Sequence, residues 1–139
     1  MSPILLDTVT VYEIRRGPRG DPGVWKWQQG FRSAWLSVIS LNEIHYGIRK
    51  VEPRDPVFAA RLAAWYATIV AQPRHFTIAP VDRAIAEQAA DFRASHGTAF
   101  ADSLIAATAK VHGLTLATRN TSDFEACGIP MVNPWDEKA

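Results

Sequence analysis

Cysteine is almost missing from this sequence. Cys127 is the only one in 139 residues, so no disulfide can close within the chain and a zinc–thiolate cluster is excluded. No apolar run approaches the roughly 18 residues that a bilayer-spanning helix needs. The start, Met1-Ser-Pro-Ile-Leu-Leu-Asp7, shows neither a basic leader nor a long apolar stretch. These absences predict a cytoplasmic protein without membrane association. An excess of one charge is also lacking: fifteen basic residues against fourteen acidic ones leave a net charge of +1. That balance excludes a generic nucleic-acid coat and confines any polyanion binding to a local patch. The four histidines, His45, His75, His96 and His112, show no HxxxH or HxH spacing, so no histidine metal site is read from them.

What remains is ordinary globular composition, 47% hydrophobic and 21% charged, in a length suited to one domain over residues 1–139. Ile4-Leu5-Leu6 reads as a strand ending at Asp7, with a helix over Val9 to Arg15 behind it. The segment Arg16-Gly-Pro-Arg-Gly-Asp-Pro-Gly23 concentrates glycine and proline and reads as an exposed loop. Ala34 to Ile39 is the second strand. Ser40 opens a helix with Leu41, Ile44 and Ile48 on one face. A further helix spans Asp55 to Val70, and Phe76 to Ile78 is a short strand. Helices over Asp82–Ser95 and Ala99–His112 end at Gly97 and Gly113. Leu114–Ala117 and Met131-Val132 complete the strands. This alternation predicts a three-layer α/β/α sandwich around a mostly parallel sheet.

In such sheets ligands bind beyond the carboxyl ends of the strands, and four acids, Asp7, Glu43, Asp102 and Asp123, fall at strand-to-helix junctions or in first helical turns. Each also has a plain structural reading. Asp7 suits an N-cap, Ser40-Leu-Asn-Glu43 matches a capping box, Asp102 suits a helix dipole, and Asp123 suits the cap of a short turn. Taken jointly they point elsewhere. Two carboxylates about 4 Å apart repel by roughly 4 kcal/mol at an effective dielectric near 20, so four together need a compensating cation, an arginine or bound protons. Oxygen ligands select Mg²⁺ or Mn²⁺. The five tryptophans read as packing elements.

The strings Leu5-Leu-Asp7-Thr8, Ser40-Leu-Asn-Glu43-Ile-His-Tyr-Gly-Ile48, Asp102-Ser-Leu-Ile-Ala-Ala-Thr-Ala109 and His112-Gly-Leu-Thr-Leu-Ala-Thr-Arg-Asn-Thr-Ser-Asp-Phe124 together resemble the PIN-domain family, and within it the VapC and FitB type of toxin. The likeness runs from Ile4 to Asn133-Pro-Trp135. It implies a Mg²⁺- or Mn²⁺-dependent ribonuclease with Asp7, Glu43, Asp102 and Asp123 as acidic metal-binding and catalytic positions. It further implies Thr118 and Asn120 lining the site, a homodimer, and inhibition by a small cognate antitoxin that brings a basic side chain to the acids. One departure stands out. The family's first motif usually reads Asp-Thr-Asn, and here Val9 follows Asp7-Thr8, so an amide is missing beside the first carboxylate.

The expected reaction is hydrolysis of an RNA phosphodiester. Asp7 and Asp102 would be primary ligands, Glu43 and Asp123 would act directly or through water, and Arg15, Arg16, Arg19 and Arg119 are candidate phosphate contacts. A haloacid-dehalogenase-like phosphatase would need a second acid two residues after Asp7, where Val9 stands. The competing class is a catalytically weakened module of the same fold, kept for binding RNA or a partner.

Overall fold

The computed structural model describes residues 3–137, so Met1 and Ser2 of the start considered above lie outside the described residues. In chain order the elements are β1 (Ile4–Leu6), α1 (Thr8–Arg15), α2 (Pro22–Gln28), β2 (Ala34–Ser37), α3 (Val38–Val51), α4 (Pro56–Val70), β3 (Phe76–Ala79), α5 (Arg83–His96), α6 (Phe100–His112), β4 (Thr115–Ala117) and β5 (Met131–Val132). Short 3₁₀ turns occur at Gly17–Arg19, Thr121–Asp123, Glu125–Cys127 and Pro134–Asp136.

The five strands form one sheet in the order β3-β2-β1-β4-β5, with every pair parallel. β1 is central, with Leu5 opposite Trp35 on one side and Leu116 on the other. Its three side chains are all buried. Ile4 and Leu6 join one apolar cluster and Leu5 the other, as the two-residue period of a strand requires. α5 and α6 cover the Leu5 face through Ile85, Phe92 and Ile105. α1, α3 and α4 cover the other through Val11, Ile44, Ile48 and Leu62. A parallel sheet hidden on both faces explains why β1 reads as a continuous apolar run rather than an alternating one.

The chain runs outward from β1 through β2 to β3, then returns to the far side of β1 as β4 and β5. Connections leave β1 and β4 in opposite directions. This opens a crevice at their carboxyl ends.

Two local expectations are corrected. The second strand stops at Ser37 rather than Ile39, because the Ser37 hydroxyl accepts the Ile39 N–H at 3.0 Å and caps α3 there. Val38 and Ile39 carry high strand propensity, yet they lie in the helix. Ser40 and Glu43 therefore both lie inside α3, and Ser40-x-x-Glu43 is not a capping box. Ser37→Ala should cost about 1 kcal/mol of folding stability, seen as a lower urea midpoint with an unchanged slope. The stretch over residues 16–23 is likewise more ordered than its composition suggested. Asp21 caps α2 by accepting the N–H groups of Gly23 at 2.9 Å and Val24 at 3.1 Å, with Pro22 in the first helical turn. Asp-Pro as cap and first helical residue was the signal available there, and Asp55-Pro56 opens α4 in the same way.

Candidate active site

Asp7 follows β1 in an extended conformation and caps α1, its Oδ1 accepting the Thr10 N–H at 2.8 Å. The cap reading was correct and does not exhaust the residue, because capping uses one carboxylate oxygen and leaves the other. Thr10 is fully buried, and its hydroxyl donates to the Ala117 carbonyl at 3.0 Å. The Asp7 N–H reaches the same carbonyl at 3.2 Å. The first turn of α1 is thereby tied to the end of β4, which fixes Asp7 at the crevice.

Glu43 sits in the second turn of α3, and its Oε1 lies 2.6 Å from the Thr8 hydroxyl, which is also 2.9 Å from the Ser40 hydroxyl. A hydroxyl has one proton and a carboxylate can only accept. Thr8 therefore donates to Glu43 and accepts a hydrogen bond from the Ser40 hydroxyl, giving a Ser40–Thr8–Glu43 chain. Sequence reasoning assigned Thr8 no role. The only hint was its position beside Asp7, and nothing local indicated a partner 35 residues away.

Asp102 lies in the first turn of α6, where the helix dipole favours its ionised form. Burial, followed by the nearby charges of Asp123, Glu43 and Asp7, nevertheless pushes its carboxyl above the ordinary value of 3.8. Desolvation and three like charges outweigh the dipole. Asp123 ends the turn Thr121–Asp123, its N–H donating to the Asn120 carbonyl at 3.0 Å.

These four acids line one cavity of about 100 Å³, together with Thr8, Val9 and Asn120, against a wall of Ile105 and Phe124. At about 30 Å³ per water there is room for an ion with a few waters. The three ion pairs among the described residues involve Glu13, Glu52 and Glu87, so none of the cavity's four carboxylates is neutralised by a basic side chain. Among the described residues no three His, Cys, Asp or Glu side chains are already gathered to hold a metal.

Of the other expected site residues, only Asn120 lines this cavity. Thr118 does not line it. It is fully buried, and its hydroxyl accepts the Asn120 N–H at 3.1 Å, which holds the turn that presents Asn120. Arg119 is exposed and stacks over Trp135, its guanidinium carbon 5.3 Å from the ring centroid. Arg15 is at the far end of α1, between Phe58 and Trp65. Val9 lines the cavity and is 47% exposed, a hydrocarbon at the rim beside Asp7.

Comparison with known proteins extends these observations. The PIN domain profile matches residues 4–128. The chain is 32% identical over 142 residues to the VapC ribonuclease Y4jK of Sinorhizobium fredii, spanning 96% of this chain and 98% of that protein. It is 34% identical over 143 residues to the toxin FitB of Neisseria gonorrhoeae, spanning 96% and 99%. A toxin-antitoxin complex from Klebsiella pneumoniae superposes with a TM-score of 0.66 at 28% identity, covering 94% of this chain and 97% of that one.

Proposed function

The chain belongs to the PIN domain family, and on that premise we propose that it is a metal-dependent endoribonuclease that hydrolyses RNA phosphodiester bonds as the toxin of a toxin–antitoxin pair. The observation that carries the reading is the convergence of Asp7, Glu43, Asp102 and Asp123, from four separate segments, on one cavity without a basic side chain to neutralise them. The donor set fits a hard divalent cation such as Mg²⁺ or Mn²⁺, because the side-chain ligands lining the cavity offer carboxylate, amide or hydroxyl oxygens. Asp7 and Asp102 would hold it, with Glu43 and Asp123 binding directly or through water. Held there, a divalent ion supplies neutralisation of phosphate charge and acidification of a water for in-line attack.

The chain's own groups have definable tasks. Asp7, with Oδ1 engaged by the Thr10 N–H, keeps one fixed oxygen for the site. Thr8 orients Glu43. Asn120 offers an amide that can donate to a phosphate oxygen, in a turn held by Thr118. Arg119, stacked on Trp135, is a phosphate contact beside it. The uncompensated negative charge also suits a lysine or arginine from a small inhibitory antitoxin. The working form is a homodimer in the cytoplasm, and no helix among the described residues is long and apolar enough to cross a membrane.

Purified protein should cleave single-stranded RNA when Mg²⁺ or Mn²⁺ is added and stop when EDTA is added, as read on a denaturing gel. Cleavage that persists in EDTA would reject the metal dependence. Exposed Val9 favours one second reading, a module that binds RNA without cutting it. An inert wild-type protein that gains metal-dependent cleavage on Val9→Asn would support that reading.

A further inference from the structure

The carboxyl end of α1 leads into Arg16-Gly-Pro-Arg-Gly20, which the acidic cavity does not use. Arg15, Arg16 and Arg19 surround a recess of about 270 Å³, and all three are exposed. The loop carrying them is braced. The Glu13 carboxylate accepts the Asp21 N–H at 2.8 Å and pairs with Arg16 at 3.5 Å. Arg16 in turn donates to the Arg19 carbonyl at 3.4 Å, and Gly20 N–H closes on the Gly17 carbonyl at 3.0 Å. Gly17 has φ +58, and a Cβ at position 20 would collide with the Glu13 carboxylate. Gly17 thus suits the turn that brings Arg19 back toward Arg15, and Gly20 leaves room there for the Glu13 carboxylate.

Glu13 partly neutralises Arg16, whereas Arg15 and Arg19 belong to none of the ion pairs among the described residues. Arg15 is held by aromatic rings instead, its guanidinium carbon 5.8 Å from the centroids of both Phe58 and Trp65. Stacking fixes the direction of a guanidinium and leaves its N–H donors open. With Arg16 offset by Glu13, the guanidinium groups of Arg15 and Arg19 still outweigh the roughly half negative charge at a helix carboxyl end, so the recess favours an anion. It stands eight residues along α1 from Asp7, about 12 Å at the helical rise, the length of a few nucleotides.

We propose that this recess binds a backbone phosphate of single-stranded RNA, with Arg15 and Arg19 as donors, a few nucleotides from the phosphate held at the acidic cavity. The assignment rests on the nuclease reading for the identity of the strand. The test uses the full chain in EDTA, a fluorescein-labelled single-stranded RNA oligonucleotide, and polarisation across a KCl series. Arg15→Gln/Arg19→Gln should lower the magnitude of the slope of log K against log salt by about 0.7, the contribution of the one single-strand phosphate that the two arginines share. On the same basis affinity should fall about fourfold near 0.15 M salt. The control is Arg74→Gln/Arg93→Gln, which removes equal charge at two other exposed arginines. A slope and affinity matching that control would overturn the proposal, with cleavage by the wild type still standing. So would weaker capture of a co-expressed antitoxin with RNA binding unchanged, which would make the recess a protein contact. Wild-type protein that shows the expected slope change yet cleaves nothing with Mn²⁺ would support the anion site and sink the nuclease reading alone.

Discussion

Replacing Asp102 with Asn should lower metal-dependent RNA cleavage by at least about 10³-fold, on the order of 4 kcal/mol of lost transition-state stabilisation, while making the metal-free protein more stable. The loss of activity follows from the site's dependence on a bound cation, whose charge stabilisation amounts to several kcal/mol. Asn retains the shape of Asp and removes its charge. The gain in stability follows from the environment of the carboxyl. Burial first, then Asp123, Glu43 and Asp7, raise its pKa above 3.8, so the folded protein binds that proton more tightly than the unfolded chain. This contribution to stability is complete below the unfolded value and is lost as pH rises through the raised folded value. The Asn variant has no such loss. Its melting temperature in EDTA should therefore move ahead of the wild type's as pH rises from acid to neutral. Added Mn²⁺ should stabilise the wild type and leave the variant unmoved, because only a form that binds the ion gains from it. Cleavage undiminished in the variant, or a melting difference that narrows toward neutral pH, would remove Asp102 from a shared acidic site.

The second large effect is expected at Leu5→Ala. Leu5 is fully buried at the centre of β1 and shares a cluster with Ile85, Phe92, Ile105 and Leu116. Truncation leaves a cavity between the sheet and two helices, at a cost of about 2–5 kcal/mol. That is a large share of a total that for domains is on the order of 5–15 kcal/mol. Because Asp7 is two residues further on, the damage should include a lower midpoint for loss of cleavage on heating. Leu5→Ile keeps the volume and should cost less than about 1.5 kcal/mol. Urea unfolding of the three proteins checks this, and an Ala variant within about 1 kcal/mol of wild type would be inconsistent with a tightly packed β1.

Much of the fold was legible because it is written in local patterns. The apolar run Ile4-Leu5-Leu6 marked a strand covered on both faces, and Gly97 and Gly113 marked helix ends, where both adopt positive φ. Asp7 was legible as a cap for the same reason, since its partner Thr10 is three residues away. Where local signals competed, the reading slipped. Val38 and Ile39 look like strand residues, and Ser40 with Glu43 looks like a cap, but the Ser37 hydroxyl begins the helix three residues earlier. In Arg16-Gly-Pro-Arg-Gly-Asp-Pro-Gly23 the glycines masked the Asp21-Pro22 start of α2.

The sequence by itself determined the strand–helix alternation, the parallel sheet it builds, and the four acids that such a sheet could present at one edge. Tertiary structure alone decided how these groups are used. It joined Thr8 to Glu43, withdrew Thr118 beneath Asn120, and put Arg15 between Phe58 and Trp65. Periodicity and capping act over three or four residues, so a chain displays them directly. A hydroxyl's choice of acceptor 35 residues away, or the shift of Asp102 by three distant charges, exists only after packing has removed water and set those groups side by side.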